Sequence, residues 1–129
     1  MLKTGILNPG INSLLSRVRH TNTLVIADRG FPFWPQLETI DISLVDDVPR
    51  VLDVLQAIRE NFVIGRAFMA EEFRRENSPD TLNQFFNFLN GVETSYEPHI
   101  DFKRRVPQAI GLIRTGDTLQ YSNIILESA

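Results

Sequence analysis

The chain has 129 residues, 43% of them hydrophobic and 22% charged, which fits one folded domain with a sizeable core and excludes a disordered chain. It has no Cys, which removes disulfide scaffolds, thiolate zinc sites, iron–sulfur clusters and a cysteine nucleophile. The net charge of −3 argues against a nucleic-acid partner, which would select a basic face, and with only two His any imidazole chemistry must use His20 or His99.

Met1-Leu2-Lys3-Thr4 runs into a helical pattern rather than the apolar core of a signal peptide. No apolar run approaches the ~20 residues of a membrane span, so a cytoplasmic protein with no membrane partner is expected. Asn8-Pro9-Gly10 is turn chemistry with Asn8 placed to cap a helix. Ile11, Leu14, Leu15 and Val18 follow at i, i+3, i+4, i+7, one helical face. Thr23-Leu24-Val25-Ile26-Ala27 predicts a strand buried on both faces and ending at Asp28, before a loop broken by Gly30, Pro32 and Pro35. Thr39 to Val45 alternates and predicts a second strand. Asp47 as cap and Pro49 in the first turn then open a helix with Val51, Leu55, Ile58 and Phe62 on one face.

Phe62 to Met69 predicts a third strand, and Glu71 to Glu76 a short helix. Ser78-Pro79 opens a clearer helix whose Leu82, Phe85, Phe86 and Leu89 read as core, with Gly91 at its end. Val92 to Tyr96, Ala109 to Ile113 and Tyr121 to Leu126 predict the remaining strands, with a short helix over His99 to Arg105 and a turn at 114–117. Strands alternating with helices from residue 1 to residue 129 predict a single α/β domain. Its sheet is mainly parallel, with helices on both faces, three layers in all. Ligands in such sheets sit beyond the carboxyl ends of strands, which nominates Asp28.

His20 fits two roles, a basic group at the end of the first helix or an acid/base near Asp28. The two are eight residues apart across one buried strand, well over ~20 Å if extended. They meet only if the preceding loop folds back over the strand or across a subunit interface. His99 reads first as a surface residue near a helix N-terminus. Tyr121 and Asn123 alternate with Ser122 on the last predicted strand and share a face, either half-exposed at an edge or lining a pocket. The adjacent Glu71 and Glu72 do not face each other on a helix, so they make a poor carboxylate pair. No spacing suits a metal, and no glycine-rich phosphate loop is present. Lys103-Arg104-Arg105 reads as a solvated helix face, while Phe31, Phe33 and Trp34 either cover the core or meet a partner.

These residues, in this order and spacing, resemble the D-ribose pyranase / L-fucose mutarotase family over nearly the whole chain. The resemblance is carried by His20-Thr21-Asn22-Thr23, by Leu24 to Asp28, and by Gly30-Phe31-Pro32. It continues through Ile40 to Leu44, Ala70-Glu71-Glu72, Pro98 to Lys103, Ile113 to Asp117 and Tyr121 to Leu126. It implies an α/β fold, no cofactor, and ring-shaped homo-oligomers up to decamers with active sites at subunit interfaces. It also implies that His20 is the catalytic proton donor and that Asp28 binds sugar. His99 would be the second His of the ribose-type enzymes, and Tyr121, Ser122 and Asn123 the substrate-binding segment. The chain departs from the family at Asn22, where an Asp is usual beside His20, and at Arg29, where a small residue is usual and a cation could pair with Asp28 or substrate. Phe31-Pro32 resembles the fucose branch, whereas His99 and Ile40 to Leu44 resemble the favoured ribose branch.

The expected activity is therefore pyranose–furanose and anomer exchange of a free monosaccharide, ribose or fucose-like. That task needs proton transfer and positioning rather than redox or group transfer. The alternative is a non-catalytic sugar-binding or transport-accessory protein of the same fold.

Overall fold

A computed structural model of the chain describes residues 1–129. The Asn8 side chain accepts the Ile11 N–H at 2.9 Å and starts α1 (Pro9–Arg17), whose Ile11 and Leu14 are buried. The continuous apolar run forms β1 (Thr23–Ala27), with Leu24 to Ala27 completely buried. Next come β2 (Thr39–Asp41), α2 (Val51–Asn61), β3 (Ile64–Ala70), α3 (Glu71–Glu76), α4 (Pro79–Phe88) and β4 (Glu93–Glu97). They are followed by α5 (His99–Arg105), a 3-10 turn at Val106–Gln108, β5 (Gly111–Arg114) and β6 (Ile124–Ser128).

The six strands form one sheet in the order β2-β5-β1-β6-β3-β4. β1 runs parallel to β5, β5 to β2 and β3 to β4, while β6 is antiparallel to both β1 and β3. The sheet is thus mainly parallel, with one reversed strand at its centre. Pleating sends alternate side chains to two cores. Leu24, Ile26, Ala67, Met69, Ile124 and Leu126 pack with Leu14, Leu55, Ile58, Phe73 and Phe85 of α1 to α4. Val25, Ala27, Phe68, Leu112 and Ile125 pack on the other side with Phe102 of α5, Val106, and Phe31 and Leu37 of the long loop after β1. The three-layer arrangement with helices on both faces follows directly.

Four local expectations are corrected. β2 stops at Asp41, because its carboxylate takes the Ser43 N–H at 3.0 Å and bends the chain, leaving Leu44 and Val45 exposed. Asp47 does not cap α2. It lies in the left-handed region at φ 63° and accepts the Thr118 N–H and hydroxyl, while Arg50 holds the cap position with its N–H bonded to Asp53. Phe86 is 68% exposed although Phe85 and Leu89 are buried, so the apolar stripe of α4 is narrower than its sequence suggests. β6 begins at Ile124 rather than Tyr121, which takes φ 57° in the turn before it.

The parallel strands bring the ends of β1, β4 and β5 to one edge of the sheet, and the reversed β6 starts from the same edge. Ile124 is in register with both Ile26 of β1 and Met69 of β3. The loops after β1, after β4 and before β6 therefore meet there.

Candidate active site

A cavity of about 410 Å³ opens at this edge, within the size range of small-molecule sites. Asp28, Gly30, Phe31 and Pro32 of the loop after β1 line one side. His99 at the start of α5 and Gln120, Tyr121 and Asn123 before β6 line the other. Asp28, His99, Tyr121 and Asn123, spread over 95 positions of sequence, thus face one space.

Asp28 is half-buried and held from several directions. Its N–H donates to Asn123 Oδ1 at 2.7 Å, and its Oδ1 accepts the Gly30 N–H at 3.0 Å. Burial pushes its carboxyl above the ordinary aspartate value, helped by the charge of Asp117. The N–H groups of Gly30 and Phe31 and the Asn123 side chain act against that rise. Below it, the buried Thr115 hydroxyl donates to the Ala27 carbonyl, and the buried Asp117 carboxylate accepts the Val51 and Leu119 N–H groups. These bonds fix the end of β1 and the turn leading to Tyr121.

His99 is no plain surface residue. Its ring stacks on Phe102 with centroids 5.9 Å apart and meets Tyr121 edge-on at 5.0 Å and Phe31 at 6.2 Å. Its backbone N–H donates to both oxygens of Glu72, at 3.1 and 3.0 Å, which ties the start of α5 to α3. Burial lowers the imidazole below its ordinary value, with Lys103 adding to the shift and Glu72 opposing it. The ring is therefore neutral at pH 7, and its buried Nδ1 has no hydrogen-bond partner in the chain. The cavity thus offers a neutral imidazole, a phenol, a carboxylate and two amides on an aromatic floor. That set of donors and acceptors matches a small polyhydroxylated ligand better than an anion or a hydrocarbon. No group of three or more His, Asp or Glu is gathered as a metal site.

The other nominated residues lie elsewhere. His20 is exposed at the opposite edge, where the Thr21 N–H bonds the Ser128 carbonyl and the Ser128 N–H bonds the Asn22 carbonyl. β1, which spans ~16 Å at ~3.3 Å per residue, lies between His20 and Asp28 and keeps them at opposite edges of the sheet. The loop before β1 does not fold back, so one chain does not join the two. The Asn22 side chain accepts the Arg19 N–H and shapes the His20 turn. Arg29 pairs with Asp46 at 2.8 Å rather than with Asp28 and does not line the cavity. Ser122 is fully buried, its hydroxyl donating to the Leu119 carbonyl, so it holds the turn rather than facing the cavity. Residue reading alone missed Gln120, although its position beside Tyr121 was the available signal. It also left Phe31 between core and partner, where the structure places the ring at 5% exposure over the second core.

An open polar cavity at the carboxyl edge of a mainly parallel three-layer sheet defines an α/β protein built to take a small polar ligand. The model of the RbsD / FucU transport protein family matches residues 1–129, and the chain belongs to that family. The chain is 41% identical over 128 residues to a D-ribose pyranase of Geobacillus kaustophilus, covering 99% of this chain and 93% of that one. A D-ribose pyranase of Geobacillus thermodenitrificans is 39% identical, covering 99% and 96%. Among solved structures, Bacillus subtilis RbsD complexed with D-ribose superposes with a TM-score of 0.93 at 31% identity, covering 100% of this chain and 98% of the other. The fucose mutarotase from Streptococcus pneumoniae in complex with L-fucose, at 20% identity and a TM-score of 0.84 over 99% and 98%, shares the fold.

Proposed function

We propose that the chain is a sugar mutarotase of the D-ribose pyranase type, an isomerase exchanging the ring and anomeric forms of a free monosaccharide by general acid/base catalysis. It acts in the cytoplasm as one domain over residues 1–129, within a ring-shaped homo-oligomer, a decamer. The observation that carries this reading is the convergence of Asp28, His99, Tyr121 and Asn123 on one polar cavity. The D-ribose pyranases at 41% and 39% identity and the D-ribose-bound RbsD structure support it.

Ring exchange has three proton-coupled events. The anomeric hydroxyl loses its proton as the bond from the anomeric carbon to the ring oxygen breaks. That oxygen is protonated, giving the open-chain carbonyl form. A sugar hydroxyl then adds to the carbonyl, giving up its proton while the carbonyl oxygen gains one. No electron or external group moves, so positioned proton donors and acceptors suffice and supply typically ~10²–10⁴-fold. His20 of a neighbouring subunit is the acid/base, reaching the cavity from the exposed end of its own β1. Asp28, His99, Tyr121 and Asn123 bind sugar hydroxyls. Neutral His99 offers one ring nitrogen, since Nδ1 is buried, and the Asn123 Nδ2 group is left to donate, because Oδ1 already accepts the Asp28 N–H. Exposed Leu44, Val45 and Val48 support an assembly that covers them.

Saturation-transfer NMR on D-ribose tests the proposal. The protein is expected to raise pyranose–furanose exchange above the buffer rate, and His20→Ala to abolish the rise while ribose binding persists. Ribose binding with exchange at the buffer rate would favour the non-catalytic sugar-binding alternative.

A further inference from the structure

Arg114 ends β5 in register with Ala27 of β1, one residue before Asp28. Its side chain crosses the end of β1 and donates to three carbonyls of the next loop. Nη1 reaches the Asp28 and Arg29 oxygens, each at 3.2 Å, and Nη2 the Pro32 oxygen at 3.3 Å. That loop supplies half of the cavity wall. On its other side the Asp28 N–H is held by Asn123 Oδ1 at 2.7 Å. The peptides flanking the Asp28 side chain are thus clamped from two sides, by a cation at the end of β5 and by an amide just before β6.

Arg114 enters no ion pair, so its donors are spent on carbonyls rather than on charge. Nor is it among the groups that move the Asp28 carboxyl from its ordinary value. It therefore acts on where the carboxylate stands rather than on its charge. The planar guanidinium presents a rigid fork of N–H groups, which suits three carbonyls curving around one point, whereas a lysine ammonium has three donors on a flexible stem.

We infer that Arg114 is a positioning residue for the ring-exchange reaction: by binding the carbonyls of Asp28, Arg29 and Pro32 it fixes the loop that aims the Asp28 carboxylate into the cavity. This rests on the mutarotase reading of the same site. Misplacement by about 1 Å of a group that orients the substrate costs on the order of 10²-fold in rate, which sets the scale of the effect.

The test compares the wild-type assembly with Arg114→Lys and Arg114→Ala, using D-ribose. Exchange at saturating ribose is read by saturation-transfer NMR, ribose affinity by calorimetry and assembly by sedimentation. Arg114→Lys is expected to assemble normally and to lose about 10- to 100-fold in exchange rate. Its ribose affinity should stay within about threefold, because Asp28 is one of four hydroxyl-binding residues and the other three, His99, Tyr121 and Asn123, keep their places. Low-millimolar guanidinium ion should restore several-fold of the Arg114→Ala rate and leave wild type and His20→Ala unchanged. A purely structural role would move neither the split between rate and affinity nor the guanidinium response. Where Arg114→Ala does not assemble, Arg114→Lys decides. Wild-type exchange in Arg114→Lys would overturn the inference, as would a rate loss matched by an equal loss of affinity or assembly. A wild-type protein that accelerates no exchange would instead overturn the mutarotase reading, so the two failures are distinct.

Discussion

Burial holds Asp28 above its ordinary titration and His99 below its own. Burial favours protonation of Asp28 in the folded protein, so the fold binds a proton there more tightly than the unfolded chain does. Its contribution to stability is full below the unfolded pKa and is lost as pH rises through the raised folded value. Above that value the ionised carboxylate therefore destabilises the ligand-free fold. Asp28→Asn, which keeps an oxygen for the Gly30 N–H, is expected to raise the thermal midpoint at pH 7 and to abolish ring exchange. Scanning calorimetry at pH 7 and pH 4 checks this, and the gain should shrink at the lower pH. His99 has the opposite sign, its lowered value adding stability above the ordinary imidazole range that is lost as pH falls through the folded value. Ring NMR of His99 is expected to show the neutral form at pH 6.5, and a protonated ring there would contradict the account. Asp28 was legible in sequence because an apolar strand stopped at a carboxylate. His99 was nominated only by the family resemblance, because nothing local records that Phe31, Phe102 and Tyr121 close around its ring.

At the level of elements, capping signals and apolar periodicity were enough to place α1, α4 and β1. Asn8 and Ser78 accept the N–H groups their spacing promised, Ile11 and Thr81 respectively. The alternation of Thr39 to Val45 misled, because β2 ends where a side-chain bond from Asp41 outcompetes the ladder. The turn from 115 to 123 was the least legible segment, since its shape comes from contacts distant in sequence. Gly116 is the clearest case. A Cβ there would strike the Val45 carbonyl and stand 2.9 Å from that of Val48, both backbone atoms that cannot swing aside. Gly116→Ala is expected to cost about 2 kcal/mol or more by overpacking and to shift the turn carrying Tyr121 and Asn123. Denaturant melts and ribose titrations measure the two effects, and unchanged stability with full affinity would refute this view of the turn. At Gly111 the close atom is instead a side-chain methyl, Leu14 Cδ1 at 2.7 Å from an added Cβ, on a residue buried in the core.

Across the whole molecule, the family residues divide between two edges of one sheet. Asp28, His99, Tyr121 and Asn123 gather at the carboxyl edge of β1, and His20 stands exposed at the other. The eight-residue spacing of His20 and Asp28 left two routes open, a folded-back loop or a neighbouring subunit, and the bonds of Thr21 and Ser128 close the first. If the site is shared, the lesions His20→Ala and Asp28→Asn fall on different contributors to each cavity. The two inactive variants, denatured together and refolded as mixed oligomers, make the direct test of the shared site, with D-ribose exchange read by saturation-transfer NMR. Random 1:1 assembly should restore about a quarter of the wild-type rate, since each site draws one half from each of two subunits. Mixed oligomers no more active than either parent would place His20 and Asp28 in the same functional unit and contradict the account.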